Sequence, residues 1–288
     1  MAESNNTGFS LPEYDSATDY IAHHLGFLKF GQKPDGSWGI AHTVAESDAM
    51  GFWSIHVDSM IMSLLLGFIF MGLFYFVSRR VTSGVPGGLQ NVVEMLVEMV
   101  QSSVKSTFFA KNAIIAPLAL TIFCWIFMMN LMDLVPVDWI PLFAQFVAQD
   151  SHLYFKAVPT TDVNITAGFA LSVFILVIFY SVKVKGVGGF LGEFAFHPFG
   201  KWAMPLNLVM EIPSFLAKPV SLALRLYGNM FAGEMIFMVI AMVGVAQLPL
   251  HFVWAVFHIL IIILQAYLFM MLTIVYLNQA HIAPDPNH

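Results

Sequence analysis

The sequence predicts an all-α protein that crosses a membrane about five times. Only 10% of its 288 residues are charged and 58% are hydrophobic, against roughly 25% charged in an average soluble domain. A soluble fold of this size cannot cover its surface with so few charges, which excludes a cytosolic enzyme. Mean hydropathy is +0.77. Several runs of about 20 residues contain no Asp, Glu, Lys or Arg, the length that spans ~30 Å of hydrocarbon at 1.5 Å per residue. Net charge is −6, with 12 Lys+Arg and no basic cluster, so nucleic acid is not an expected partner. The single cysteine, Cys124, lies in an apolar run and cannot form an internal disulfide.

Residues 1–52 form a polar N-terminal extension. Glu3, Glu13, Asp15 and Asp19 come first and no apolar core follows, so this is not a signal peptide. The stretch 14–30 predicts one short amphipathic helix. His23 and His24 are adjacent and face different sides of a helix; they read as solvated or interfacial histidines, not a metal pair.

Residues 53–288 form a single integral membrane domain with spans expected at about 57–78, 113–132, 163–182, 203–245 and 250–280. Arg79 and Arg80 stop the first, Asp133 follows the second, and Lys183 and Lys185 follow the third. The last two come from a run, Met235 to Ala280, that lacks Asp, Glu, Lys and Arg and is too long for one crossing. Gly244 to Pro249 is its natural break. As helices the last two segments measure ~60 and ~45 Å, more than the hydrocarbon thickness, so strong tilt is expected. Pro205, Pro213 and Pro219 are candidates to start or bend the fourth. In loop 79–112, Val92, Val93, Leu96, Val97, Val100 and Val104 recur at helical spacing opposite Glu94, Glu98, Gln101 and Lys105. This predicts an amphipathic surface helix over about 89–108. Loop 133–162, with Trp139 and Pro141, reads as an external hairpin. Arg79, Arg80, Lys105 and Lys111, then Lys183, Lys185 and Lys201, mark the cytoplasmic side. The N-terminus is therefore expected outside and the C-terminus, Pro284–His288, in the cytoplasm.

The informative residues are charges inside the fourth apolar segment: Glu211, Lys218, Arg225 and Glu234. A charge at bilayer depth costs at least ~2.5–3.5 kcal/mol on insertion scales and marks function by default. Glu211, Lys218 and Arg225 are spaced by seven, which places them within ~40° of one helix face. Ser214 and Ser221 join that face, and Asn229 follows Arg225 by four. The last segment carries a second stripe, His251, His258 and Gln265, again spaced by seven. Two long helices with such stripes suggest a hydrated or proton-conducting path; the blander reading is mutual hydrogen bonding between helices. Arg225 is the only arginine beyond residue 80, and a partner on another subunit is the simplest way to meet its charge.

These residues carry a resemblance. The run Lys218-Pro-Val-Ser-Leu-Ala-Leu-Arg225-Leu-Tyr-Gly-Asn229-Met-Phe-Ala-Gly-Glu234 resembles the signature of subunit a of bacterial F-type ATP synthases. So does Phe257-His258-Ile-Leu-Ile-Ile-Ile-Leu-Gln265-Ala-Tyr-Leu-Phe. Ser83-Gly-Val-Pro-Gly, Pro117-Leu-Ala-Leu-Thr-Ile-Phe and Met129-Asn130-Leu-Met-Asp133-Leu-Val-Pro136 are similar to the same family. The likeness covers roughly residues 50–280. It implies a non-catalytic, proton-translocating stator subunit whose two long tilted helices form a hairpin against a rotating ring of c subunits. Further implied partners are the b-subunit peripheral stalk and, through the complex, the catalytic head. The implied location is the bacterial cell inner membrane. Two aqueous half-channels would serve a carboxylate on each c subunit, with Arg225 as the gate facing it. Asn229, Glu234, His258 and Gln265 would belong to the outer half-channel; Glu211, Lys218 and Ser221 to the inner. No cofactor or metal is implied, and the ion is expected to be H⁺.

The chemistry makes that gate intelligible. A guanidinium has a pKa above about 12 and cannot release its proton, whereas a buried Lys can. Arg225 would attract an ionised ring carboxylate without relaying a proton between half-channels. Past it, in lipid, the carboxylate must be protonated to avoid desolvation. Imidazole, titrating near neutrality, suits a relay. A proton-coupled secondary transporter is the rival reading, but such folds show internal repeats, and the Arg225 stripe has no second copy. A haem-bearing respiratory subunit needs axial ligands, and His251 and His258 lie ~10 Å apart along one face. No Walker-type phosphate loop is present, so the chain alone is expected to lack ATPase activity.

Overall fold

The structure, a computed structural model, describes residues 16–33, 36–41, 44–51, 53–82, 84–110, 112–136, 138–149, 153–196 and 201–282. Residues 1–15, Ser83, Lys111 and the tail Pro284–His288, all invoked above, lie outside the described residues. The protein is an all-α, multi-span membrane protein, with five helices among the described residues long and apolar enough to cross a bilayer.

The chain begins with α1 (Ala17–Leu25), β1 (Lys29–Gln32), β2 (Trp38–Ile40), α2 (Val44–Ala49) and β3 (Ile55–His56). The strands make one small antiparallel sheet in the order β2-β1-β3. Sequence reading does not foresee it, because strands of two to four residues hold too few positions to display an alternation. β3 runs without a linker into α3 (Val57–Arg79), the first span. α3 stops where Arg79 and Arg80 fold back over Tyr75 and Phe76, at 5.6 and 4.1 Å, a cation–π arrangement that keeps the cations near the helix end.

α4 (Gly88–Thr107) buries Val93 and Val100, two of the six apolar positions in its predicted stripe. α5 (Ile115–Leu131) ends in a tight turn over Met132–Leu134. α6 (Trp139–Ala148) closes at Gln149, whose left-handed φ of 56° stops the helix. α7 (Val163–Phe196) consists of two helical stretches joined at a kink at Gly186 (φ 74°, ψ 164°), a conformation open to glycine because it lacks a Cβ; the first stretch ends a few residues past the predicted end of the third span. α8 (Met204–Ala241) contains Pro213 and Pro219. α9 (Gln247–His281) follows Gly244, at φ 74°, and carries Pro249 in its first turn, where a missing N–H costs nothing. At 1.5 Å per residue α8 and α9 are each more than ~50 Å long.

The chain divides into two compact units. The first comprises Met1–Leu66, Met129–Asp162 and Met230–Leu260; the second comprises Gly67–Met128, Val163–Asn229 and Ile261–His288. The first unit is held by buried polar groups as much as by apolar ones. Asp58, at the start of α3, is fully buried and accepts hydrogen bonds from the backbone N–H groups of Leu28, Ser59 and Lys156 at 3.0, 2.8 and 2.9 Å. It thereby ties three segments together. His56 stacks on Phe27 and pairs with Asp162 at 2.7 Å. The second unit has an apolar centre of Leu222, Leu226, Met270 and Ile274. Aromatic pairs such as Phe174–Phe215, with ring centroids 4.7 Å apart, extend it.

One expectation needs correction. His24 is not solvated: it is buried, with Nε2 3.0 Å from Asp138. Within loop 133–162, read above as an external hairpin, three charges leave the surface. Asp133, Lys156 and Asp162 are all buried, because each meets a side chain contributed by a distant part of the chain.

Candidate functional site

In the first unit, four buried ionisable side chains from four segments come together. Glu234, on α8, is 4% exposed, and its Oε2 lies 3.1 Å from Lys156 Nζ. Lys156 is 1% exposed and reaches inward from the extended segment before α7. The ammonium also lies over the rings of Phe27 and Phe231, at 5.0 and 5.9 Å. Its backbone is pinned by Asp58. Asp133, in the turn after α5, has Oδ2 2.6 Å from Nε2 of His258 on α9. The His258 ring occupies the space above Gly233, where any Cβ would collide with it. Glycine at 233 is thus what lets α8 and α9 approach at this level. Phe237 and Trp254 wall the ring, with centroids 5.4 and 6.0 Å away.

The group consists of two carboxylates, one ammonium and one imidazole. The four carry a net −1 with a neutral imidazole and zero with a charged one. Asp133, Lys156 and Glu234 line a cavity of about 10 Å³ together with His24, room for about one water molecule. His258 Nδ1, Trp254 Nε1 and both amide atoms of Asn130 are buried without a hydrogen-bond partner among the described residues. Buried polar atoms are normally satisfied by protein or by ordered water.

The remaining predicted residues lie in the second unit. Asn229 donates from Nδ2 to Gln265 Oε1 at 2.8 Å, joining α8 to α9. Lys218 Nζ donates to Gln279 Oε1 at 3.4 Å and sits over the rings of Phe215 and Tyr276. Glu211 and Lys218 line a cavity of about 60 Å³ with Ser181 and Lys185 of α7 and Tyr276 and Gln279 of α9. Arg225 is exposed, and its one hydrogen bond among the described residues is a long 3.5 Å contact to Ser221 Oγ, one turn back. Val220 and Leu224, beside it, are also exposed. His251 stays out of both groups and contacts the Gln247 carbonyl of its own helix.

Sequence reading does not single out Asp133 or Lys156. Asp133 had a signal: an acid closing an apolar run, three residues after Asn130 and so on the same helical side. Lys156, a lone cation in an acidic loop, had none. Gln279 likewise enters the inner cavity unannounced.

Long apolar helices carrying buried, mutually paired ionisable groups define a membrane protein of the ion-translocating class. The comparisons narrow this class. The sequence matches the family described as ATP synthase A chain over residues 60–278. It is 58% identical to ATP synthase subunit a 2 of Hahella chejuensis over 270 residues, which covers 93% of this chain and 98% of that one. It is 56% identical to ATP synthase subunit a of a Marinomonas species, covering 93% and 98%. It is 54% identical to ATP synthase subunit a of Pseudomonas syringae pv. tomato, covering 95% and 99%. The chain belongs to the ATP synthase subunit a family, and the secondary-transporter reading is not favoured.

Proposed function

We propose that this chain is the stator subunit of a rotary ATP synthase that conducts protons to and from a ring of c subunits, without itself catalysing ATP chemistry. The observation that carries this reading is the buried group Glu234–Lys156 and Asp133–His258, built from four separate segments. Ionised groups are not retained in an apolar helical protein without a use.

In this reading Glu234 and His258, with their partners Lys156 and Asp133, belong to the outer half-channel, as do Asn229 and Gln265. A proton arriving from outside is held at His258 or Glu234 and passed toward the ring. Lys156 and Asp133 are the charged partners of these two groups. Arg225 faces the ring carboxylate. Its exposure, without a carboxylate partner among the described residues, fits a counter-ion supplied by another chain. Glu211, Lys218 and Ser221 belong to the cytoplasmic path, which the cavity shared with Lys185 and Gln279 supports. Each proton crossing releases about 2.3 kcal/mol per 100 mV, and the gate turns that into rotation because the carboxylate is ionised beside Arg225 and protonated in lipid. The b-subunit stalk and the catalytic head are the further partners, and the bacterial inner membrane the location, with the N-terminus outside.

The test is the assembled complex in vesicles. Glu234→Gln is expected to slow ATP-driven proton pumping per assembled complex at least ~10-fold, the scale on which a lost acid–base group acts. Full pumping by Glu234→Leu combined with His258→Leu would refute the assignment.

A further inference from the structure

The small sheet of the N-terminal extension has two unlike faces. Its register pairs Phe30 with both Ile40 and Ile55, and Gln32 with Trp38. Paired residues share a face and alternate residues along a strand do too. Phe30, Trp38, Ile40 and Ile55 therefore stand together on one side. All four are exposed, Trp38 at 65% and Ile55 at 53%. The Phe30 and Trp38 rings lie 6.2 Å apart. The other side, with Lys29, Gly31 and His56, is covered: Lys29 Nζ bonds the Ser47 carbonyl beneath α2, Gly31 faces Met50 and Ser54, and His56 pairs with Asp162.

We propose that the open face lies in the lipid interface of the membrane, making the extension a monotopic anchor beside the first span. Three observations commit the face to lipid. First, β3 becomes α3 with no linker, so the Phe30–Ile55 pair stands within two residues of the helix that enters the bilayer. Met60, Ile61 and Leu64, in the first two turns of α3, are exposed apolar residues as well. Secondly, the face carries no charge, and Gln32 is its one polar member. Trp38 sits at its rim and Trp53, 84% exposed, stands two residues before β3's first residue. Exposed tryptophans at this level are the signature of a headgroup belt, where an apolar ring and an N–H are both accommodated. Thirdly, four apolar side chains are far fewer than the 20–30 residues per side of a stable protein interface. Both sheet edges are strands of only two or three residues, too short to template pairing with another chain.

The experiment places a nitroxide at Ile40→Cys, and separately at Trp38→Cys, in the intact complex, with Cys124 replaced and pumping retained. Leu64→Cys serves as the lipid-facing reference and Ser37→Cys as the aqueous one. Collision with oxygen, which partitions into lipid, is compared with collision with a water-soluble nickel chelate. The expected result is several-fold greater access of oxygen than of the chelate at both sites, resembling position 64. Chelate access equal to that at position 37 would overturn the proposal by leaving the face in water. Exclusion of both reagents would overturn it by placing a protein there.

Discussion

Glu234 and Lys156 are buried together, so removing either one alone leaves the other charge without its counter-ion. Breaking such a pair costs about 3–5 kcal/mol, whereas removing both charges is close to neutral. Lys156→Met is therefore expected to lower the amount of subunit recovered in the assembled complex. Lys156→Met combined with Glu234→Gln should restore the amount while leaving proton transport poor. Immunoblotting of purified complex against a pumping assay separates the two effects. At this scale the sequence was partly legible. Charges within an apolar helix stand out against their neighbours, so Glu211, Lys218, Arg225 and Glu234 announce themselves. Lys156 and Asp133 do not, because what distinguishes a buried lysine from a solvated one is a partner 78 residues away in the chain, Glu234 in this case. Which charge pairs with which is a tertiary property that spacing does not encode.

The extension is attached to the rest of the first unit through α1. His24 Nε2 lies 3.0 Å from Asp138 Oδ1, and the Tyr20 hydroxyl donates to the same oxygen at 3.1 Å. The hydrogen bond from His24 holds the Asp138 carboxyl below its usual 3.8, helped by the charge of His24 and the bond from Tyr20 and opposed by partial burial. A carboxyl depressed in the folded state contributes stability above its unfolded pKa and loses it as pH falls through the folded value. α1 is therefore expected to hold from neutral pH down to about pH 4 and to loosen below it. A spin label at Ile21→Cys should become more mobile on acidification from pH 6 to pH 3. In Asp138→Asn it should be mobile at pH 6 already, and a mobility independent of pH in the unsubstituted protein would contradict the link. Among elements, the long apolar helices were the most legible, since their composition and length leave one solution in lipid. The ends were less so. The third span runs past Lys183 and Lys185, which do not stop a helix, to a kink at Gly186, and a second helical stretch follows to Phe196. The sheet at residues 29–56 was invisible, its strands being shorter than the window over which a period of two can be recognised.

For the whole molecule, positive charge decides the orientation. Lys and Arg cluster in the loops after the first and third spans, and such residues resist translocation. In intact cells an impermeant thiol reagent should label Ser37→Cys and spare a cysteine at position 285; labelling of position 285 from outside would reverse the topology. The central claim is that Arg225 faces a carboxylate of another subunit and keeps one proton path from short-circuiting the other. Arg225→Lys retains a charge but loses the fixed protonation state and the planar fork. Arg225→Ala removes the charge, and assembly should survive because a desolvated charge is relieved. The most direct measurement is proton flux through the reconstituted complex, under ATP and under an imposed potential. Both variants are predicted to abolish ATP-driven pumping, and Arg225→Ala is predicted to add a passive leak through the membrane sector. Coupled, near-normal pumping by Arg225→Ala, without leak, would contradict the account and place the gate at another residue.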